Sequence, residues 1–239
     1  MNYKPNLKFK EGIMAIIVLV LIIAAVVFYK IWDSPKEKYA RKLSKGKNQD
    51  QIKTIRFFLG TILGPKWSSD SEFENYLNSL VEINVDKAIE KLGLDETEVN
   101  EIEPVLIEGY IFDKNVLAKR NDKNKWISSA YHATWLLFSA NQVYVYRKEF
   151  WADENRDNVS TLEYFYKDVT AFRTGQESYE FMDTVINGKE VDEKIRQVNV
   201  DTFTIVVPGD NLKIAARDSV NLEGRVKAMQ QLLREKKNA

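Results

Sequence analysis

Seventeen consecutive residues from Gly12 to Phe28 (GIMAIIVLVLIIAAVVF) carry no charge and no polar side chain. Tyr29, Ile31 and Trp32 extend the apolar character around Lys30. A helix rises about 1.5 Å per residue, so roughly 20 residues cross the hydrocarbon of a bilayer. A lone segment satisfies its backbone polar groups inside lipid only as a helix. The sequence therefore predicts one transmembrane helix over residues 12–32, behind a short N-terminal tail, 1–11.

A cleaved secretory signal would need a shorter apolar run and a small-residue cleavage site. Lys4, Lys8 and Lys10 supply a basic start, but the run is long and is followed by bulky Tyr29-Lys30-Ile31-Trp32. Tyr and Trp suit the membrane–water interface. The segment reads as a permanent anchor. Three lysines precede the run, and seven basic residues follow it closely: Lys30, Lys36, Lys38, Arg41, Lys42, Lys45 and Lys47. The side richer in Lys and Arg stays in the cytoplasm. The expectation is a single-pass protein of the cell membrane, with its N-terminus outside and its C-terminal domain cytoplasmic.

The chain is neutral overall, but its first 50 residues carry net +6 and the remainder net −6. An acidic body argues against nucleic acid, which demands a basic footprint. With no cysteine and one histidine, no Cys/His zinc site can be built.

Residues 33–50 (DSPKEKYARKLSKGKNQD) read as a basic juxtamembrane linker, helical around Lys36 to Leu43. Lys36, Lys38, Arg41, Lys42, Lys45 and Lys47 would meet anionic headgroups. Residues 51–104 read as a helical subdomain. Ile52, Ile55, Phe58, Leu59 and Ile62 keep helical spacing up to Gly64-Pro65, and Ser69-Asp70-Ser71 opens a second helix with Phe73, Tyr76, Leu77 and Leu80. A third runs from Val85 to Leu92 with Gly93 as its cap, and Asp95 with Glu98 makes a capping-box pattern.

From Val105 the period changes. Strands are predicted at 105–112, 127–138, 143–150, 162–166, 169–173, 179–185, 198–207 and 212–216, with Pro208-Gly209-Asp210-Asn211 as a hairpin turn. Val143-Tyr144-Val145-Tyr146 places two valines on one face and two tyrosines on the other. The chain closes with a helix whose Leu222, Val226, Met229 and Leu233 form one apolar stripe. The fold class is thus α+β: an anchor, a helical subdomain, and an antiparallel barrel or sandwich of about seven strands (residues 105–239) capped by a C-terminal helix.

Three phrases sharpen this. Leu136-Leu137-Phe138-Ser139-Ala140-Asn141-Gln142-Val143-Tyr144-Val145-Tyr146, Tyr164-Phe165-Tyr166-Lys167-Asp168-Val169, and Phe203 to Ala216 running into the last helix follow one another in an order that resembles the pleckstrin-homology-like fold in its bacterial versions. The resemblance covers roughly Val105 to Lys237 and leaves 51–103 outside. It implies lipid binding, peptide binding or scaffolding, since the fold hosts all three. In phosphoinositide-binding members, basic residues on the loop between the first two strands hold phosphates. Here that loop is 113–125 (DKNVLAKRNDKNK), with Lys114, Lys119, Arg120, Lys123 and Lys125 as anion-binding candidates; no basic residue follows from Ile127 to Phe138.

His132 sits in an aromatic strand without a nucleophile motif. The acidic runs Asp95, Glu96, Glu98, Glu101, Glu103 and Asp153, Glu154, Asp157 do not match a calcium loop. Trp126, Trp135 and Trp151 read as core, with at least one near the surface. No catalytic, metal or cofactor set is assigned. The favoured function is a non-enzymatic interaction module that docks a protein partner in a membrane-associated assembly through an exposed strand edge. Anionic-lipid sensing by loop 113–125 is the first alternative, and an enzyme with an unrecognised site the second.

Overall fold

The computed structural model describes residues 7–81, 85–99, 101–187, 190–217 and 219–238. Helix α1 (Leu7–Trp32) contains the apolar run. Its Gly12–Trp32 stretch, with mean hydropathy 3.1, buries none of its surface in the protein and is long and apolar enough to cross a membrane.

Helix α2 (Pro35–Leu43) starts where Ser34 caps it and Pro35 occupies its first turn. Helix α3 (Gln49–Leu59) opens with a reciprocal capping box between Asn48 and Gln51 and ends at Gly60, whose φ of 60° is left-handed. The expected continuation to Ile62 does not occur, and Ile62 is exposed. Helices α4 (Asp70–Val81) and α5 (Val85–Leu92) follow. Gly93 turns the chain with φ 69°, and Asp95 and Glu98 form the capping box of one 3-10 turn.

Among the described residues nine strands follow, not about seven: β1 (Val105–Ile111), β2 (Ala118–Arg120), β3 (Trp126–Ser128), β4 (Ala130–Phe138), β5 (Gln142–Trp151), β6 (Arg156–Phe165), β7 (Ala171–Asn187), β8 (Glu190–Val207) and β9 (Asp210–Ala215). All pairing is antiparallel, in a four-stranded sheet β1-β4-β5-β6, a small hairpin β2-β3 and a three-stranded sheet β7-β8-β9. No barrel closes among the described residues. Two main-chain contacts bring β9 against β1 without a ladder. Arg217 N–H donates to Glu108 O at 2.7 Å, and a Cβ on Gly109 would lie 2.7 Å from Ala215 O.

Strands β1, β4 and β5 of the four-stranded sheet are covered on both faces, whereas β6 is largely exposed. On one, Tyr131, Ala133, Leu137, Tyr146 and Phe150 pack with Phe73 and Leu77 of α4 and Ala88 of α5. On the other, Val105, Ile107, Leu136, Phe138, Val143 and Val145 pack with Phe172, Phe203, Ile205 and Ile214. Helix α6 (Ser219–Asn238) buries Leu222, Val226, Met229, Leu232 and Leu233 in this second core, as its stripe predicted. The central strand β4 is consequently almost continuously buried. Lys236 pairs with Glu101 at 2.8 Å and ties the helix end to the body.

The hairpin β7–β8 is much longer than its sequence predicted. Its ladder runs unbroken from Ala171↔Val206 to Asn187↔Glu190. Phe172, Phe203 and Ile205 anchor its base in the second core, and Phe181 reaches the first. The outer limb is solvent-exposed.

Candidate functional site

The clearest feature available to a partner is an edge. Strand β6 pairs with β5 from Gln142↔Phe165 to Trp151↔Arg156 and, among the described residues, has no strand on its other side. Ten residues at about 3.3 Å each give a free ladder roughly 33 Å long. Val159 is 53% exposed, Phe165 48% and Leu162 36%. Proteins usually protect such an edge with Lys, Pro, bulges or short length. None of these protects β6. Its one cation, Arg156, is drawn over the Trp151 ring at 3.5 Å and onto Glu154 at 3.1 Å. Chemically this row of main-chain donors and acceptors can take an extended peptide as an added strand. The sequence hid half of it, because 153–159 is polar on both faces and reads as a gap.

The basic loop 113–125 is partly ordered as strand β2, which pairs with β3 immediately after the loop. Lys119 bonds Asp70 of α4 at 3.1 Å and lies 3.4 Å from the Phe57 ring centroid, so its charge is spent inside the protein. Arg120 donates to Asn124 O at 2.6 Å and stacks on Trp126 at 4.5 Å. The Asn121 side chain accepts from Lys123 N–H and Lys125 N–H, and Asn124 takes φ 57° to close the turn. Arg120, Lys123 and Lys125 line a cleft of about 710 Å³ together with Arg217, Glu74 and Asp201. Lys114 and Lys119 do not line it. Arg217 was not anticipated; it arrives from the far end of the chain. The cleft is polar and of mixed charge. Burial, reinforced by Glu74, pushes the hydroxyl of Tyr110 in its wall up to about 12.

The juxtamembrane basic residues separate into three roles. Lys36 donates to Gly60 O at 3.5 Å, Lys38 pairs with Asp33 at 2.9 Å, and Arg41 lies over the Trp32 ring at 4.2 Å. Lys42 lines a cavity beside Lys38, whereas Lys45 and Lys47 lie outside it. Beneath them Glu37 is buried at 2% exposure, bound to Arg56 and to the backbone of Ile62 and Leu63.

His132 is fully buried, with Nδ1 3.2 Å from Thr134 Oγ1. Burial, assisted by Arg147, depresses it to about 3, and no substrate can reach it. No group of three His, Cys, Asp or Glu residues is arranged to hold a metal among the described residues. Trp151 is buried; Trp126 and Trp135 are half-buried, and Trp126 packs edge-on to Phe181 at 4.8 Å. No family model matches the chain, and neither does any curated protein or solved structure.

Proposed function

We propose that this protein is a single-pass membrane protein whose cytoplasmic body is a non-enzymatic interaction module. It docks an extended segment of a protein partner along β6, within a membrane-associated assembly. The observation that carries this reading is the ten-residue ladder of β6, open on one side and bearing exposed Val159, Leu162 and Phe165. Such an edge supplies main-chain hydrogen bonds for affinity and alternate side chains for selectivity. The succession of a four-strand meander, a three-strand sheet and a C-terminal helix supports a pleckstrin-homology-like ancestry, with β2–β3 as an excursion between the first two strands of the meander. The occupation of Lys119 and Arg120 by Asp70, Phe57, Asn124 and Trp126 favours a peptide ligand over lipid sensing through that loop.

The test is crosslinking with mass spectrometry on native membranes, using the full chain with a C-terminal tag. Partner crosslinks are expected to cluster at 156–165. They should disappear in a Val159→Lys, Leu162→Lys double variant that is present in the membrane at normal level. Crosslinks that survive both substitutions would refute the reading.

A further inference from the structure

The end of α1, the start of α2 and Val191 of β8 border an open cavity of about 850 Å³. Tyr29, Lys30, Asp33, Lys38, Lys42 and Val191 carry its character. Lys38 is held by Asp33 at 2.9 Å, whereas Lys30 and Lys42 make no ion pair or hydrogen bond through their ammonium groups with another described residue. The cavity therefore keeps two uncompensated positive charges. Tyr29 and Lys30 lie in the last turn of the helix that is long enough to span a membrane, so the cavity opens at headgroup level.

The hairpin supplies a second, independent observation. Its contribution to the cores ends at Phe181, which faces Arg196 across the ladder. Beyond that point Ile195, 59% exposed, and Val191 face no core, yet the ladder continues to its tip. A two-stranded ribbon alone in water is marginal. This one extends until Val191 meets the wall built by α1 and α2. Glu190 and Asp192, on either side of Val191, project to the opposite face of the ribbon.

We propose that this cavity binds one anionic phospholipid of the surrounding leaflet. Its phosphate sits between Lys30 and Lys42, its glycerol end lies against Tyr29 and the apolar flank of α1, and Val191 closes the site from the side of the body. This rests on α1 spanning a membrane. The hairpin is thereby a sensor arm: Val191 on its outer limb is part of a lipid site while its base is part of the core.

The test uses the full chain reconstituted in vesicles of mixed phosphatidylglycerol and phosphatidylcholine, released into detergent and weighed by native mass spectrometry. One retained phosphatidylglycerol per chain is expected. Lys30→Gln with Lys42→Gln should lower its retention about thirty-fold, the equivalent of about 2 kcal/mol at 1.4 kcal/mol per tenfold. Val191→Asp should lower it as well, whereas Lys45→Gln, in the same basic stretch but outside the cavity, should not. Equal retention of the two lipids, equal loss on Lys45→Gln, or an unchanged Val191→Asp variant would each overturn the site. Displacement of the retained lipid by millimolar inorganic phosphate would assign the cavity to a soluble anion and overturn it too. Alkaline extraction separates the two levels. A chain released into the supernatant overturns the anchor along with the site; a chain that stays in the membrane without lipid preference overturns the site alone.

Discussion

Replacing Glu37 by Ala removes the acceptor on which α2 is seated. Its carboxylate receives Arg56 Nη1 at 3.0 Å and the backbone N–H groups of Ile62 and Leu63 at 2.9 Å each. Arg56 also donates to Leu63 O and packs under Gly64, where φ is 78° and a Cβ would fall 2.8 Å from the guanidinium carbon. Truncation leaves a nearly buried guanidinium without its counter-charge and two amide groups without an acceptor. Breaking a buried pair in this way costs about 3–5 kcal/mol. For a body of this size 1 kcal/mol moves the melting midpoint by about 2–4 °C, so a fall of about 10 °C is expected. The assay is thermal unfolding of the full chain in detergent, followed by tryptophan fluorescence, with hydrogen exchange at the Ile62 and Leu63 amides. Acid should act on the same group. Burial alone would raise the Glu37 pKa, but the Leu63 N–H, the Arg56 guanidinium and the Ile62 N–H together outweigh it and hold the carboxyl below its ordinary value of 4.5. A folded-state value below the unfolded one means stabilisation that is present above about pH 4.5 and lost as pH falls through the folded value. Glu37→Gln should lack that increment of acid sensitivity. A Glu37→Ala chain that melts with the wild type, with Ile62 and Leu63 equally protected, would refute the reasoning.

Three further outcomes are expected. Gly109→Ala places a methyl 2.7 Å from Ala215 O and 2.9 Å from its carbonyl carbon, both main-chain atoms, so β1 and β9 must separate and a loss of at least about 1–3 kcal/mol should appear in the melting midpoint. Met229→Ala, at a fully buried position on α6, should cost about 2–5 kcal/mol, whereas Lys227→Ala on the exposed side should stay within about 0.5 kcal/mol by the same assay. His132 should remain neutral down to about pH 4, visible as an imidazole proton signal that does not titrate between pH 8 and 5. Because its folded value is depressed by burial and by Arg147, the unfolded chain alone takes up that proton below pH 6.5, and stability declines as pH falls from there towards 3.

What the sequence made legible follows from where local pattern and long-range packing agree. The run from Gly12 and the stripe Leu222, Val226, Met229, Leu233 each carry their own period, so α1 and α6 were readable. The alternation at Val143–Tyr146 was readable too, but not its meaning. The tyrosines are not a solvent face, because α4 and α5 cover them. The first half of β6 (156–161) and the outer limb of β8 (190–197) were unreadable because polar and charged residues dominate them, whereas 162–166 and 179–185 were expected as strands. They are held by main-chain ladders and, in the outer limb, by Arg196 reaching Asp183 across the strands at 3.1 Å. The basic loop showed its charges but not their partners: Asp70 neutralises Lys119 from a distant helix, and Arg217 enters the cleft from beyond β9. Glu37, one acid in a polar stretch, gave no sign that it would be buried.

The position of α2 decides what kind of connection joins α1 and the body. Residues 33–50, were they a free polar tether, would span roughly 23 Å on average and let the body turn in any direction. Instead Ser34 and Pro35 start α2 within three residues of Trp32, and Arg41 lies 4.2 Å over the Trp32 ring. On the other side Glu37 is locked to the loop after α3, and Gln51 Nε2 of α3 donates to Asn155 at 2.6 Å, one residue before β6 begins. A short chain of packed contacts thus runs from the last turn of α1 through α2 and α3 to the start of the open edge. On the proposed reading, the edge is presented in a set direction close to the membrane, and no conformational freedom of a tether dilutes its effective concentration there. The same reading favours a partner itself held at the membrane, because both ends of the interaction would then share the same restricted geometry.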